Sequence, residues 1–292
     1  MHRERCNTRY LPGAAFPQNL QVESDLARAL RECEDALIAV PSHAFRSTLE
    51  SIKPHLRPAT RVAWATKGFE LGTGKLPYAV ASQVLGERPL AVLSGPTFAR
   101  EVGAGLPTAM TVASADPQFA ANLANNLSGP AFRAYTQADF LGVEVGGAVK
   151  NVIAIATGIA DGVGFGANTR VALITRGLAE MMRLGVKLGA QRETFMGLAG
   201  LGDLVLTCTD DQSRNRRYGV ALGRGVDAAE AQRNIGQVVE GVGAARAVRD
   251  VAASLQVEMP ICGEAFRVMY ENKPILEAVQ ALMTRGVRSE TE

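Results

Sequence analysis

Lys150 has the clearest chemical potential in this 292-residue chain. It is flanked by Gly146-Gly-Ala-Val149 and Val152-Ile-Ala-Ile155, a helical run that is apolar on nearly every face. An ammonium buried there loses hydration, its pKa falls toward neutrality, and it can give or take a proton at a substrate oxygen. The residues alone leave this even with a lysine that snorkels to solvent or pairs with Glu144. Asp203 follows the turn Gly200-Leu-Gly202, and its carboxylate could hold the Lys150 ammonium or simply cap a helix. Thr207, four residues on, would share its helix face, bonding either a substrate or its own helix.

Downstream, Ser213-Arg214-Asn215 sets a guanidinium fork between two neutral donors, a set suited to phosphate oxygens. Arg216 and Arg217 follow directly and read as a solvated surface stretch. Upstream, Lys67 closes a candidate strand at the carboxyl edge, where parallel sheets bind ligands. A solvated strand-end lysine is the plainer alternative. His2, His43 and His55 have no mutual spacing suited to a metal, so no metal site is expected. Trp64 reads as core, and Cys208, with no histidine near it in sequence, as a buried thiol.

These groups need a scaffold, and the chain predicts one in two parts. Residues 36–40, 61–66, 90–93, 108–112 and 132–136 are short runs rich in aliphatic, β-branched or aromatic residues, the signature of strands. Segments 24–32, 44–52, 76–85 and 117–127 carry helical spacing, the first with Ser24 as its cap. Alternating strands and helices, with several strands apolar on both faces, predict an α/β domain with a doubly wound, largely parallel sheet. From about residue 138 the pattern becomes long 3.6-residue periodicity with Gly-rich turns, predicting an all-α second half. The division falls near residue 145, giving a sheet domain over 1–145 and a helical domain over 146–292. Thirteen of the 30 glycines lie between Gly142 and Gly202, which close helix contacts and tight turns would explain.

Composition narrows the function. The length suits two domains, since one core seldom grows past roughly 250–300 residues. A net charge of +2 is too near neutral for a protein that binds nucleic acid by bulk charge. With 47% hydrophobic and 21% charged residues, the chain can bury a sizeable core. Cys6, Cys33, Cys208 and Cys262 form no Cys-x-x-Cys pair, and a reducing compartment fits them best. The start leads into no apolar run, and the most apolar stretch, 140–169, is interrupted by Glu144, Lys150 and Asp161. Neither a signal peptide nor a membrane span is read.

A sheet of this kind invites a search for a phosphate-binding loop. Gly72-Thr-Gly74-Lys75 lacks the earlier glycine of a P-loop, and Leu76 stands where a Ser or Thr should hold magnesium. Gly241-Val-Gly243-Ala-Ala-Arg246 has Arg246 in place of the third small residue and reads as a helix start. Residues 1–20 hold neither a first sheet strand nor a glycine loop after it, so the sheet reads as beginning partway through its own order.

The chain resembles the bacterial-type NAD(P)-dependent glycerol-3-phosphate dehydrogenases. The likeness rests on Arg5-Cys-Asn-Thr-Arg-Tyr-Leu-Pro12, Ala39-Val-Pro-Ser42, Ala65-Thr-Lys-Gly68, Leu93-Ser-Gly-Pro-Thr-Phe-Ala99, Val149-Lys-Asn151, Gly200-Leu-Gly-Asp-Leu204, Ser213-Arg-Asn215 and Val238-Val-Glu-Gly241. It departs in lacking the N-terminal strand, Gly-x-Gly-x-x-Gly loop and second strand of that family. A misplaced start codon or a true truncation would each produce this, and activity is expected only with the segment restored.

The resemblance implies a Rossmann-like sheet domain, incomplete at its start, followed by an all-helical substrate domain. It implies hydride transfer between NAD or NADP and C2 of dihydroxyacetone phosphate or sn-glycerol 3-phosphate. Lys150 and Asp203 become the catalytic pair, with Lys67 reaching substrate and nicotinamide. Substrate contacts fall to Lys67, Gly95, Thr97, Lys150, Asp203, Thr207, Ser213, Arg214 and Asn215. Cofactor contacts fall to Pro41, Ser42, Lys67, Ala99, Arg214, Val238 and Glu240. A turn fixed by Pro96 is the plainer account of Gly95 to Ala99. The implied protein is a cytoplasmic homodimer that supplies glycerol 3-phosphate for phospholipid synthesis. Two other readings stay open: a non-catalytic shortened homologue that holds substrate alone, and a two-domain reductase of another small acid. The phosphate grip at 213–215 argues against the second.

Overall fold

A computed structural model of the chain describes residues 3–287 and 289. A small antiparallel hairpin comes first, β1 (Cys6–Asn7) against β2 (Leu11–Ala15), with an irregular register. Sequence patterning shows no strand here, because β1 has two residues and β2 contains Pro12 and Gly13, which disfavour strands. The main sheet then alternates with helices: α1 (Leu26–Leu30), β3 (Asp35–Ile38), α2 (Ser42–Ile52), β4 (Arg61–Trp64), α3 (Pro77–Leu85), β5 (Leu90–Ser94), α4 (Ala99–Gly103), β6 (Thr108–Ser114), α5 (Pro117–Leu127) and β7 (Phe132–Gln137). Every strand expected from the apolar runs is present. The first helix is shorter than expected, and its cap is not Ser24 but Asp25, whose carboxylate accepts from Arg28 N.

The strands lie in sequence order, β3-β4-β5-β6-β7. All neighbours are parallel except β5 and β6, which run antiparallel. The link between them explains the reversal. Its helix α4 has five residues, about 7.5 Å of rise. A parallel crossover would have to return along the roughly 16 Å of a five-residue strand such as β5.

Side chains alternate across the sheet. Val62, Trp64 and Val92 pack on Phe45 and Leu49 of α2 and Val80 of α3. Ala63, Leu93 and Val112 face the other way, onto Phe119 and Leu123 of α5. Helices therefore cover both faces, as strands apolar on two sides require. Among the described residues β3 pairs only with β4, and Leu37 on this edge strand is 49% exposed.

After β7, every regular element among the described residues is helical, including α6 (Phe140–Val163), α7 (Ala167–Leu188), α8 (Asp203–Thr209), α9 (Arg214–Gly223), α10 (Ala228–Ile235), α11 (Glu240–Ser254), α12 (Pro260–Tyr270) and α13 (Ile275–Met283). Asp139 caps α6 by accepting from Gly142 N. By length and composition α6 could cross a membrane, a property the interrupted charge pattern hides in sequence. Here it is the central rod of the helical half, buried along most of its length against α7, α8, α9 and α11. Helices α6 and α9 meet through facing glycines: a β-carbon on Gly158 would overlap the Arg216 carbonyl oxygen, and one on Gly219 that of Ile155. This contact presses α9, which begins at Arg214, onto the helix that carries Lys150.

Candidate active site

Lys150 sits midway along α6 and is buried, as are Asp203 and Thr207 of α8. Its Nζ donates to Asp203 Oδ1 at 2.5 Å and to Thr207 Oγ1 at 3.0 Å. The second carboxylate oxygen, Oδ2, accepts from Lys67 Nζ at 2.7 Å, and Lys67 also donates to Gly95 O at 3.3 Å. Thr207 donates to Asp203 O, one turn back, at 2.6 Å, so its hydroxyl both satisfies its own helix and orients the lysine. Asp203 lies in the first turn of α8, directly after a single π-helical turn at Leu198–Gly202. The positive end of the helix dipole favours its anion there. Lys67 comes from the loop after β4 and Lys150 from α6, so one carboxylate ties the sheet half to the helical half.

Two amines on one carboxylate leave the buried cluster with one positive charge in excess. Burial lowers Lys150 from the ordinary 10.5 to about 8, with Asp203 pulling it up and Lys67 pushing it down. Burial alone would raise Asp203, but the Lys150 and Lys67 ammonium groups outweigh it and hold the carboxyl below its usual value. Glu144 is not the partner of Lys150; it accepts instead from Trp64 Nε1 and Tyr78 N. A buried, electropositive site with an amine poised near neutrality can protonate an oxygen and stabilise negative charge developing on it.

Beside this cluster, Asn215 in the first turn of α9 donates from Nδ2 to Asn151 Oδ1 at 2.9 Å and accepts from Gly241 N at 2.8 Å. Asn151 in turn donates to Glu240 Oε2 at 3.4 Å. Asn151 thus joins α6, α9 and α11 next to Lys150. Asn151 lies outside the site residues expected from sequence, where its signal is its place in Val149-Lys-Asn151. Ser213 caps α9, its hydroxyl accepting from Arg216 N and keeping its own hydrogen to donate. Arg214 is half-buried and donates to Gln237 Oε1 at 3.4 Å. Arg216 corrects the sequence reading. It is not a surface residue: its side chain is 12% exposed and bridges Asp161 at 2.7 Å and Asp211, because tight α6–α9 packing lays it across α6. Arg217 is exposed as expected. Glu240 opens α11, and Val238 just before it is half exposed.

The parallel strands β3, β4 and β5 open their loops on one edge. Pro41 and Ser42 follow β3, Lys67 and Gly68 follow β4, and Gly95, Thr97 and Ala99 follow β5. Helix α2 begins at Ser42 with no side chain capping it. Gly95 has φ +150° and a β-carbon there would lie 3.0 Å from Met110 Cα, so glycine alone fits. Thr97 Oγ1 donates to Gly95 O at 3.3 Å, and Ala99 starts α4. At the end of β5, Ser94 Oγ is buried with no hydrogen-bond partner among the described residues.

Other conspicuous features lie apart from this constellation. An apolar cavity of about 520 Å³ is lined by parts of α6, α7, α12 and α13 and includes none of Lys67, Lys150 or Asp203; converging charge, not void volume, defines the site. Burial pushes the Cys208 thiol up to about 12, which keeps it un-ionised, and all four cysteines are free. Among the described residues no three His, Cys, Asp or Glu side chains group as metal ligands. His43 and His55 are exposed, and His2 lies outside the described residues. Gly72 and Gly74 form a turn at positive φ, and Gly241 to Arg246 lie in α11, so neither is a phosphate loop.

The glycerol-3-phosphate dehydrogenase (NAD(P)+) of Photorhabdus laumondii is 55% identical over 294 residues, covering 100% of this chain and 86% of the relative. That of Serratia proteamaculans is 56% identical over 292 residues, covering 99% and 86%. The family models for the N-terminus and C-terminus of NAD-dependent glycerol-3-phosphate dehydrogenase match residues 1–120 and 139–280. The chain belongs to the NAD-dependent glycerol-3-phosphate dehydrogenase family. Among solved members, the Coxiella burnetii glycerol-3-phosphate dehydrogenase superposes with a TM-score of 0.94 at 49% identity, covering 98% of this chain and 87% of that one. The Saccharomyces cerevisiae glycerol-3-phosphate dehydrogenase does so with 0.84 at 26% identity, covering 94% and 82%. The Rossmann-like sheet and helical second half are thus this family's fold, and the expected fold class stands.

Proposed function

We propose that the chain catalyses the NAD(P)-dependent interconversion of dihydroxyacetone phosphate and sn-glycerol 3-phosphate. The observation that carries this reading is the Asp203 carboxylate shared by Lys150 and Lys67 where the strand ends meet α6. When bound, the nicotinamide supplies or accepts the hydride at C2. Lys150 holds the proton for the C2 oxygen: with its value at about 8 it is mostly an ammonium at neutral pH and releases a proton as negative charge grows on that oxygen. Asp203 keeps the amine in place, Thr207 orients it, and Lys67 adds the second positive charge facing the oxygen. Gly95 and Thr97 border the substrate, and Arg214, Asn215 and Ser213 supply donors to its phosphate.

The open strand edge fits a dinucleotide. Its uncapped α2 N-terminus suits an anionic or hydroxyl-rich group. Pro41, Ser42, Lys67, Ala99, Arg214, Val238 and Glu240 would hold NAD or NADP there. On this reading residues 1–145 form the dinucleotide side and 146–292 the substrate side. The enzyme works in the cytoplasm, where free cysteines persist, as a homodimer whose exposed Leu276 and Met283 offer apolar contact surface. Its product feeds phospholipid synthesis. The test is loss of reduced-nicotinamide absorbance on mixing the protein, with the family's N-terminal strand and glycine loop restored, with dihydroxyacetone phosphate or with unphosphorylated dihydroxyacetone. Turnover of the first and not the second is expected; equal rates would refute the phosphate grip.

A further inference from the structure

One buried carboxyl takes no part in the mechanism above, yet it touches the frame of the site from both sides. Glu144 lies on α6 and is 4% exposed. Its Oε1 accepts from Trp64 Nε1, in β4, at 3.1 Å and from Tyr78 N, in the first turn of α3, at 2.9 Å. Helix α3 has no capping side chain of its own, so Glu144 serves one of its unpaired N–H groups from a different helix. Trp64 stands three residues before Lys67, and Glu144 six before Lys150. A single side chain therefore joins the strand that ends in one amine to the helix that carries the other.

Packing alone does not call for a carboxyl here. Burying one costs more than burying an apolar side chain of like volume, and Glu144 Oε2 has no hydrogen-bond partner among the described residues. Glu144 lines a small space shared with Thr66, Lys67, Ser94 and Gly147. The ionisable groups on the elements packed around it are Lys67 after β4, Tyr78 on α3, and Lys150 and Asp161 further along α6, with Arg61 at the start of β4 paired to Asp35; β5 contributes only Val92 and Ser94 there. Burial pushes the Glu144 carboxyl up to about 8, so at neutral pH it keeps its proton and its bridge is that of a neutral acid.

We infer that Glu144 is a positioning residue for the reaction: by bridging Trp64 and Tyr78 to α6 it fixes the strand end bearing Lys67 against the helix bearing Lys150, and so sets the spacing of the two amines on Asp203. This rests on the dehydrogenase reading for its kinetic consequence, but the bridge itself can be read without turnover. Trp64 is the chain's single tryptophan, so indole fluorescence reports its environment alone.

The experiment compares wild type with Glu144→Gln and Glu144→Leu. Glutamine keeps an acceptor oxygen for both donors, and leucine keeps volume without one. Glu144→Gln should hold kcat within about twofold, whereas Glu144→Leu should lose roughly tenfold or more in kcat with KM for dihydroxyacetone phosphate moving far less, the signature of misplaced catalytic groups. Wild-type Trp64 emission should titrate near pH 8, and Glu144→Gln should lose that titration. Folded Glu144→Leu with wild-type kcat, or Glu144→Gln as impaired as Glu144→Leu, overturns the inference, as does an identical emission titration in Glu144→Gln. If Glu144→Leu does not fold, Trp64→Phe removes the bond from its other end: a lowered kcat at unchanged KM supports the bridge, and an unchanged kcat overturns it. Inactivity of the protein with its N-terminal segment restored counts against the proposed reaction instead, and the emission titration then decides the bridge alone.

Discussion

Gly158→Ala offers a demanding test of how the helical half builds its site. A β-carbon there would overlap the carbonyl oxygen of Arg216 and lie 3.0 Å from Val220 N, both backbone atoms of α9. No rotamer change can relieve such contacts, so α9 must move on the order of 1 Å to restore normal separation. Overpacking of this kind costs about 1–3 kcal/mol, offset by roughly 1 kcal/mol from replacing a mid-helix glycine. The net loss is up to about 2 kcal/mol, or several degrees in Tm for a protein of this size. The displaced helix carries Arg214 and Asn215, so kcat/KM should fall roughly 10- to 100-fold, mostly through KM if these residues grip phosphate. Gly263 of α12 is the control, because nothing lies within 4 Å of a β-carbon placed there. Gly263→Ala should raise Tm slightly by its helix propensity and leave kinetics alone. The assays are thermal unfolding and steady-state turnover with dihydroxyacetone phosphate. If Gly158→Ala matched Gly263→Ala in both, close α6–α9 contact would not be what places the phosphate donors.

Asp203→Asn removes the anion that opposes burial and Lys67 at the Lys150 amine, so the amine should shed its proton at lower pH; at pH 7 reduction should slow about 100-fold or more and its pH–rate limb shift toward acid. In wild type, reduction needs the ammonium and oxidation the free amine, so initial rates should fall for reduction and rise for oxidation as pH passes about 8. Glu180 of α7 accepts from Ile261 N at 2.6 Å and Cys262 N at 3.1 Å, capping α12 from outside; Glu180→Ala should cost about 2–4 kcal/mol in denaturant unfolding without changing kcat. Burial raises Glu180 from 4.5 to about 7. The unfolded chain therefore loses this proton first, and stability should decline as pH rises across that window, less steeply in Glu180→Ala.

The strands were legible because the information is local: runs such as 61–66 and 90–93 are apolar on both faces, and β4 and β5 are buried on both. The direction of β6 was not, because it depends on the length of the α4 link rather than on β6's own residues. The hairpin at Cys6 to Ala15 was missed for want of any period in so short a pair. Apolar periodicity marked Lys150 as buried, but periodicity cannot say that Asp203, 53 residues away, turns back onto it. Family likeness supplied that pairing. Glu144 and Trp64 are 80 residues apart, and nothing in either one's neighbourhood announces their bond. Arg216 misled because a run of arginines reads as solvated; only the packing of α9 on α6 reveals the two aspartates it meets.

Lys150→Ala is the most direct measurement of all. With the transferred proton held on that amine, kcat for dihydroxyacetone phosphate reduction should fall roughly 10²- to 10⁴-fold with KM changed far less, and small primary amines added to the buffer should restore part of the lost rate. A variant that turns over at nearly the wild-type rate, or one whose defect lies wholly in KM, would contradict it.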